Sequence, residues 1–326
     1  MPTHPKPIAS LSLDLDNKWS YMKTHGEAGW ETFPSYLDIF IPRVLEFLQQ
    51  RDLRITFFIV GQDAALAQHH ALLRSITAAG HEVGNHSFHH EPWLHLYSEA
   101  QIEEELARAE EQILAVTGQR PRGFRGPGYS FSGAVLRVLQ RRGYHYDAST
   151  FPTYLGPLAR MYYFMTAKLT PEEKAERKKL FGTMSEGHRP LHAYHWQLAG
   201  NEPTGLLEIP VTTMPLFKIP IHFSYLLYMS LYSPALAMLY FRAALQLCRW
   251  TGVQPSLLIH PLDFLGGDDV PALDFFPAMR MTGAQKAAIM DRALQLVTTY
   301  FTPVTMGEHA AAIQLSTQAL PQLVLS

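Results

Sequence analysis

The stretch IASLSLDLDN, residues 8–17, alternates small or apolar residues with polar ones. Leucine recurs at every second position before Asp16, and this period of two is that of a β-strand. We therefore predict a strand over Ile8 to Leu15, with Asp14 and Asp16 sharing one face near its carboxyl end. Active sites of parallel α/β proteins lie at the carboxyl ends of strands, so these carboxylates are candidate functional groups. A pair of loop-capping aspartates is the alternative.

Strand-like and helix-like runs alternate beyond this strand, which is typical of α/β proteins with a parallel sheet. The further predicted strands are Arg54 to Val60, Glu82 to Asn85, Gly123 to Arg125, Tyr144 to Ala148, Gly205 to Val211, Ser256 to Ile259 and Pro303 to Met306. The predicted helices are Tyr36 to Gln50, Ala65 to Ala79, Glu99 to Thr117, Ser132 to Arg142 and Thr282 to Tyr300. This count predicts an α/β fold built as a distorted (β/α) barrel of about seven to eight parallel strands.

Residues 1–326 are expected to form a single domain. The alternation breaks over residues 151–204, which predicts a helical insertion that is either a solvated helix or a lid over the site. Residues 219–250 are predicted as an apolar helical segment, and its part 219–241 contains no Asp, Glu, Lys or Arg. Prolines interrupt this part, with Ser233 placed as a helix N-cap before a proline, so a buried or membrane-surface helix is favoured over a membrane span.

Composition narrows the function classes further. The 27 Lys and Arg residues nearly balance the 29 Asp and Glu residues, so no basic footprint for nucleic acid is expected. The single cysteine, Cys248, excludes an intramolecular disulfide and is predicted to be a buried, inert thiol. No signal peptide is evident at the start, so we expect a cytoplasmic protein, with peripheral contact at the inner membrane face through residues 219–241 as an extension.

A histidine-rich turn follows the predicted strand in GHEVGNHSFHH, residues 80–90. His86 and His90 are four residues apart, so one helical turn would aim both imidazoles at one point. With Asp16 as an oxygen ligand, they would form a three-ligand divalent metal site with an open position. Zn²⁺ suits this ligand set best, while Co²⁺, Fe²⁺ and Ni²⁺ stay open. His89 would replace His90 if the turn is not helical, and ordinary core or surface histidines are the alternative.

Two more predicted strands end in polar groups. In GFRGPGY, residues 123–129, the glycines allow close backbone approach, so the Tyr129 amide could donate to an oxyanion and Arg125 could grip a carboxylate. A plain turn with a surface arginine is the alternative. In SLLIHPLD, residues 256–263, His260 ends an apolar strand and is a candidate general acid or, alternatively, a hydrogen-bonded core histidine.

Taken in order, these motifs resemble the polysaccharide deacetylase superfamily, which has the chitooligosaccharide deacetylase (NodB) homology domain and includes carbohydrate esterase family four. The family's histidine motif, His-Ser/Thr-x-x-His, matches residues 86–90, and its first motif carries two aspartates. The resemblance implies that Asp14 is the catalytic base and that Asp16, with the two histidines, binds the metal. It also implies that Arg125 orients the base.

The later motifs extend the resemblance. The Arg-x-Pro motif of the family matches Arg125-Gly126-Pro127, and Pro127 and Tyr129 of this turn are the candidate substrate-binding residues. The final Leu-x-x-His motif makes His260 the acid. The family's remaining motif, an aspartate and a tryptophan that tune the acid, has no clear match, and Asp147 and Asp263 are the candidates for that aspartate.

The activity that this resemblance implies is metal-dependent hydrolysis of an N-acyl group, acetyl or formyl, on an amino sugar. The expected partner is an N-acylated sugar or glycan, and a lipid-linked or cell-envelope glycan precursor is one form of it. Two other functions stay open: hydrolysis of cyclic amides or ureides on the same fold, and noncatalytic carbohydrate binding. The sequence does not predict the oligomeric state.

Overall fold

The computed structural model describes residues 6–156, 184–198, 203–316 and 319–325. Its strands are β1 (Ile8–Leu15), β2 (Thr56–Ile59), β3 (Glu82–Asn85), β4 (Gly123–Phe124), β5 (Tyr146–Asp147), β6 (Tyr194–Leu198), β7 (Pro203–Glu208), β8 (Ser256–Ile259), β9 (Thr302–Val304) and β10 (Gln322–Leu325). Its α-helices are α1 (Lys18–His25), α2 (Leu37–Gln49), α3 (Gly61–Ala65), α4 (His70–Ala78), α5 (Glu99–Thr117), α6 (Gly133–Arg141), α7 (Phe223–Ser230), α8 (Pro234–Thr251), α9 (Gly283–Tyr300) and α10 (Met306–Leu315). Every strand predicted from the sequence is present, with shifted ends at several of them.

The described strands form one sheet in the order β10-β6-β7-β5-β4-β3-β2-β1-β8, and β9 pairs with β1. Neighbouring strands of this path run parallel, except that β6 and β7 are antiparallel. The predicted α/β fold with a mostly parallel sheet is therefore confirmed. Hydrogen bonding between the described strands does not join β10 to β8, so closure of the sheet into a barrel stays a prediction.

Strand β1 is an interior strand of this sheet, between β2 and the terminal strand β8, and all its residues after Ile8 are buried. Leu13 pairs with Phe57 of β2 on one side and with Ile259 of β8 on the other. The three leucines at positions 11, 13 and 15 are fully buried in the main hydrophobic cluster, which also contains Phe40 of α2. Strands covered on both faces are typical of parallel sheets. The packing of β1 therefore gives the carboxylates at its end a rigid support.

The helix predicted over Ala65 to Ala79 begins later, at His70, and the separate short helix α3 precedes it. Helix α3 ends before Leu66, whose backbone is extended. The imidazoles of His69 and His70 contact the carbonyl oxygens of Asp63 and Ala64, at 3.2 and 3.1 Å. Side chains that bind backbone carbonyls compete with helical hydrogen bonds, which accounts for the break.

The apolar segment is interrupted as the sequence predicts. Helix α7 ends at Ser230, and the hydroxyl of Ser233 accepts a hydrogen bond from the amide of Leu236 in the first turn of α8. Within the described residues, no helix combines the length and hydropathy that crossing a bilayer requires. Cys248 is buried in α8, and burial raises the pKa of its thiol to about 12, as expected of an inert thiol.

Much of the predicted insertion over residues 151–204 falls on residues 157–183 and 199–202, which lie outside the described residues. They include Thr170-Pro171-Glu172-Glu173, a pattern that predicts the start of a helix. The segment also contains β6, which the sequence analysis missed. Strand β6 pairs with β7 and with β10, and its Tyr194 and Trp196 are buried. This part of the segment belongs to the sheet.

Candidate metal and catalytic site

Five predicted functional residues lie at the carboxyl ends of neighbouring strands. Asp14 is the next-to-last residue of β1, and Asp16 follows that strand directly. His86 follows β3, Arg125 follows β4 and His260 follows β8. Because these strands are parallel and close in the sheet order, their carboxyl ends meet at one edge. The fold therefore gathers residues that are far apart in the sequence.

Asp16, His86 and His90 converge on one point. One oxygen or nitrogen atom from each residue lies within 4.8 Å of the other two, and all three residues are buried. The Oδ1 atom of Asp16 is 2.9 Å from Nε2 of His90 and 3.3 Å from Nε2 of His86. A carboxylate and two imidazoles at this spacing form a ligand set suited to a divalent metal ion.

Hydrogen bonding around these residues also fits a metal. Nδ1 of His86 donates to the carbonyl oxygen of Arg125 at 2.6 Å, and this turns Nε2 toward Asp16. Both ring nitrogens of His90 and Oδ1 of Asp16 are buried and, apart from the close approach of this oxygen to the two Nε2 atoms, make no hydrogen bond to any described residue. Buried polar atoms without partners are costly, and coordination of a metal ion would remove this cost. The three side chains therefore fit a bound divalent ion.

The local electrostatics favour an ionised carboxylate at this point. Burial acts to raise the pKa of Asp16, but His90 and His86 outweigh it and hold that pKa well below its usual value. Burial likewise acts to lower the pKa of His86, and the carboxylates of Asp14 and Asp16 outweigh it and raise that pKa. An ionised carboxylate is the form that ligates a metal.

The histidine-bearing loop is not helical, so the predicted helical turn is wrong. Ser87 and His90 have positive φ values of 58° and 55°, which interrupt any helix. Oε2 of Glu105, on α5, accepts hydrogen bonds from the amides of Phe88 and His89 and fixes the loop. The expectation that His89 would replace His90 as the ligand in a non-helical turn is also wrong. The His89 side chain is 46% exposed and contacts Glu105.

Asp14 is held beside the metal ligands by a buried arginine. Nη1 of Arg125 donates to Oδ1 of Asp14 and to the hydroxyl of Ser12, both at 2.9 Å. Its Nε donates to the carbonyl oxygen of Ala148 at 3.0 Å. The contact to Asp14 uses one nitrogen, so the predicted bidentate grip is not what forms. The other oxygen, Oδ2, lies 4.0 Å from Nε2 of His86, on the side of the metal ligands.

The Gly-Pro-Gly turn does not present the Tyr129 amide as predicted. Pro127 begins a 3₁₀ turn, and the amide of Tyr129 donates to the carbonyl oxygen of Gly126 at 3.0 Å. The turn uses this amide internally, so the expectation of a free oxyanion donor at Tyr129 is wrong. The Tyr129 ring stacks on Phe151 at 4.8 Å between centroids. Burial and the nearby Asp14 raise the pKa of its phenol.

His260 lies half-buried at the end of β8 and is held by two contacts. The hydroxyl of Ser224, in the first turn of α7, is 3.1 Å from Nδ1 of His260. The backbone amide of His260 donates to Oδ2 of Asp263 at 2.8 Å, and burial raises the pKa of that carboxyl group. Of the two aspartates proposed to tune His260, the one that contacts this residue is therefore Asp263, and it does so through the backbone.

Asp147 belongs to a different cluster. Ser149 donates to its Oδ1, and its carboxyl group also shares a hydrogen bond with that of Glu208. Burial raises the pKa of Asp147 to about 6 and that of Glu208 well above its usual value. The described contacts of Asp147 lie within this cluster, so its expected role as the partner of His260 is not supported.

Sequence analysis did not identify His222, which precedes α7. Its ring centroid lies 5.9 Å from that of His260 and 5.5 Å from that of Phe151. His222 is buried, and its Nδ1 makes no hydrogen bond to a described residue. Burial, together with His260 and Arg125, holds its pKa well below the usual value, so the imidazole is neutral. The one sequence signal for this residue is a histidine within an apolar run of leucines and tyrosines, and that run predicts a helix without indicating a site.

Comparison with known proteins finds similarity to polysaccharide and peptidoglycan deacetylases. Residues 25–146 match the family model described as polysaccharide deacetylase. The peptidoglycan-N-acetylmuramic acid deacetylase of Bacillus subtilis is 34% identical over 110 residues, which is 33% of this chain and 41% of that protein. The peptidoglycan deacetylase of Helicobacter pylori is 31% identical over 149 residues, 44% of this chain and 49% of that protein. This chain thus spans less than half the length of each.

The fold also has a known relative. A crystal structure from Mycobacterium smegmatis, provisionally described as a polysaccharide deacetylase, matches with a TM-score of 0.61 and 21% identity. The match covers 100% of this chain and 97% of the other. The likeness shows a shared fold. The resemblance predicted from the motifs is therefore confirmed, and His86, His90 and Arg125 lie inside the matched residues 25–146.

Proposed function

We propose that this chain, which resembles the polysaccharide deacetylases, is a metal-dependent hydrolase that removes an N-acyl group from an amino sugar. The observation that carries the proposal is the convergence of Asp16, His86 and His90 beside the Asp14–Arg125 pair. This arrangement combines a metal-ligand set with a carboxylate that is oriented but not part of it. Hydrolytic metal sites commonly have these two parts.

Asp16, His86 and His90 would hold the ion, and we propose zinc as its identity. When bound, the ion would supply Lewis acidity for hydrolysis at this edge of the sheet. Their other contacts prepare these side chains for that role, since the Arg125 carbonyl fixes the ring orientation of His86. Residues of the chain then supply the proton transfers.

Asp14 would act as the general base. The Arg125 nitrogen that donates to Oδ1 of Asp14 is itself held by the Ser12 hydroxyl, so Oδ1 is engaged and Oδ2 can accept a proton from water. His260 would act as the general acid. Because Ser224 holds its Nδ1, the nitrogen available for donating a proton to the departing amine is Nε2.

The first experiment measures acetate and formate release from N-acetylated chito-oligosaccharides and from N-formylated amino sugars, with one equivalent of zinc. The matched variant is Asp14→Asn, which keeps the size of the side chain and removes the base. Because it also leaves the buried Arg125 charge unpaired, urea unfolding checks that the variant is folded under the assay conditions. We expect it to keep the metal and to lose about 10²- to 10⁴-fold in turnover. Because Asp14 is not a proposed ligand, metal content separates loss of the base from loss of the ion.

Two outcomes would contradict the proposal. Turnover of a cyclic ureide with none of the N-acyl sugars would assign the site to the other hydrolase class. A chain that binds sugar, takes up no metal and releases no acyl group would instead be a carbohydrate-binding protein.

A further inference from the structure

A hairpin-like loop before α7 displays two large apolar side chains. The loop is closed by pairing between Thr213 and Pro220, and the amide of Met214 donates to the carbonyl oxygen of Ile219 at 2.8 Å. At its tip, Leu216 is 75% exposed and Phe217 is 60% exposed. Leucine and phenylalanine at the tip of a tight, closed loop gain nothing from the protein core. Their exposure therefore points to a contact outside the described chain.

Helices α7 and α8 continue this apolar display. Leu236 and Leu239, in the first turns of α8, are 63% and 62% exposed. Tyr240 of the same helix donates from its hydroxyl to the carbonyl oxygen of Pro220 at 2.9 Å, so the helix lies against the loop. We call the resulting set the apolar surface, and it consists of Leu216, Phe217, Ile219, Tyr228, Tyr232, Leu236 and Leu239.

The charges of this segment are of one sign. Between Glu208 and Asp263 the sequence contains no Asp or Glu, and it contains Lys218, Arg242 and Arg249. Arg242 and Arg249 are exposed on α8, whereas Lys218 is half-buried and its Nζ donates to the carbonyl oxygen of Arg189 at 2.6 Å. Exposed leucine and phenylalanine, tyrosines with a polar tip and cations without nearby acidic residues in the sequence together match the interface of an anionic bilayer.

The apolar surface begins close to the catalytic residues. Ser224 contacts His260, and the exposed Tyr228 follows it by four residues on α7, one helical turn further along. Tyr228 in turn contacts Tyr232, with 5.8 Å between ring centroids. A bilayer in contact with this surface would therefore lie near the site that contains His260.

We propose that the apolar surface binds peripherally to an anionic lipid bilayer, with Leu216 and Phe217 inserted at the level of the headgroups. The proposal does not depend on the proposed enzymatic activity. Two terms contribute to this binding: apolar side chains leave water, and the cations are attracted to lipid phosphates. Salt screens only the attraction between the cations and the lipid phosphates. We therefore expect binding to become weaker at high salt without being abolished.

The test is co-sedimentation of the full chain with vesicles of phosphatidylglycerol and phosphatidylcholine in equal parts. The main variant is Leu216→Asn with Phe217→Asn, since asparagine tolerates the positive φ of 70° at position 216. A second variant, Leu236→Gln with Leu239→Gln, tests the helix independently. We expect each to lower vesicle binding at least about fivefold. The matched control, Leu96→Asn with Leu315→Asn, removes exposed leucines elsewhere and is expected to bind as the unchanged chain does.

Several results would overturn the proposal. One is an unchanged chain that stays in the supernatant, and another is equal binding by all the variants. A dimer on a sizing column that the Leu216→Asn, Phe217→Asn variant abolishes would make this surface a subunit interface. The Asp14→Asn variant should sediment normally, so failure of the proposed activity and failure of membrane binding are distinguishable.

Discussion

Arg125 and Asp14 form an ion pair, 2.9 Å from Nη1 to Oδ1, in which the arginine is fully buried and the aspartate nearly so. Through it, the end of β4 is joined to the end of β1, two strands that are not neighbours in the sheet. The same guanidinium reaches Ser12 and the carbonyl oxygen of Ala148. A pair this buried is costly to break, because removing one partner leaves an uncompensated charge.

Arg125→Met is therefore expected to lower the free energy of unfolding by about 3–5 kcal/mol and to reduce turnover together with it. Urea unfolding and acyl release measure the two effects. The matched control is Arg43→Met, which breaks the partly exposed pair with Asp269. We expect that control to cost about 1 kcal/mol and to leave turnover unchanged. Equal losses in both variants would contradict a special role for Arg125.

The metal ligands can be tested without any substrate. His86→Ala with His90→Ala should abolish the binding of one divalent ion per chain, measured by elemental analysis after reconstitution with zinc. His89→Ala should bind the ion normally, because this neighbouring side chain contacts Glu105 and not the cluster. Metal retained by the double variant, or lost in His89→Ala, would show that the ligand set is wrong.

Much of this site follows from local sequence pattern, and the rest depends on packing between distant segments. The period of two in β1 is a local property, so it predicts the position of Asp14 directly. The spacing of His86 and His90 identifies the right pair, although by a helical turn that does not form. Ser224 could not be found this way, because α7 brings it to His260 across 36 residues of sequence. Strand β10 depends in the same way on pairing with the distant β6.

Ser224 is expected to position His260. Ser224→Ala should lower kcat about tenfold with little change in KM, because the imidazole loses one hydrogen bond that orients it. His260→Asn should lower kcat about 10²- to 10⁴-fold, since it removes the proton donor itself. If the serine acts through the histidine, adding Ser224→Ala to the His260→Asn variant has no further effect on kcat. Independent, multiplying losses would contradict the assignment.

His222 offers a neutral imidazole beside the acid, and we expect its contribution to be substrate binding. His222→Phe keeps an aromatic ring against Phe151 and removes the polar nitrogens. Loss of one hydrogen bond to substrate predicts a rise in KM of about tenfold with kcat nearly unchanged. Steady-state kinetics on the same N-acyl sugars measure both constants. A fall in kcat with unchanged KM would place His222 in the chemistry instead.

Far from the site, His309 makes stability depend on pH. Nε2 of this buried imidazole contacts Oε1 of Gln254, Nδ1 contacts the hydroxyl of Ser10, and burial lowers its pKa to about 4. The unfolded chain, with a histidine pKa near 6.5, binds the proton first as pH falls. The contribution of His309 to the free energy of unfolding is therefore fully present above pH 6.5 and is lost progressively down to pH 4.

His309→Asn should therefore shrink the difference in unfolding free energy between pH 7 and pH 4.5 by about 2 kcal/mol, measured by urea titration. Other groups titrate in both proteins, so the comparison isolates this residue. An unchanged difference in the His309→Asn variant would show that this group is not responsible.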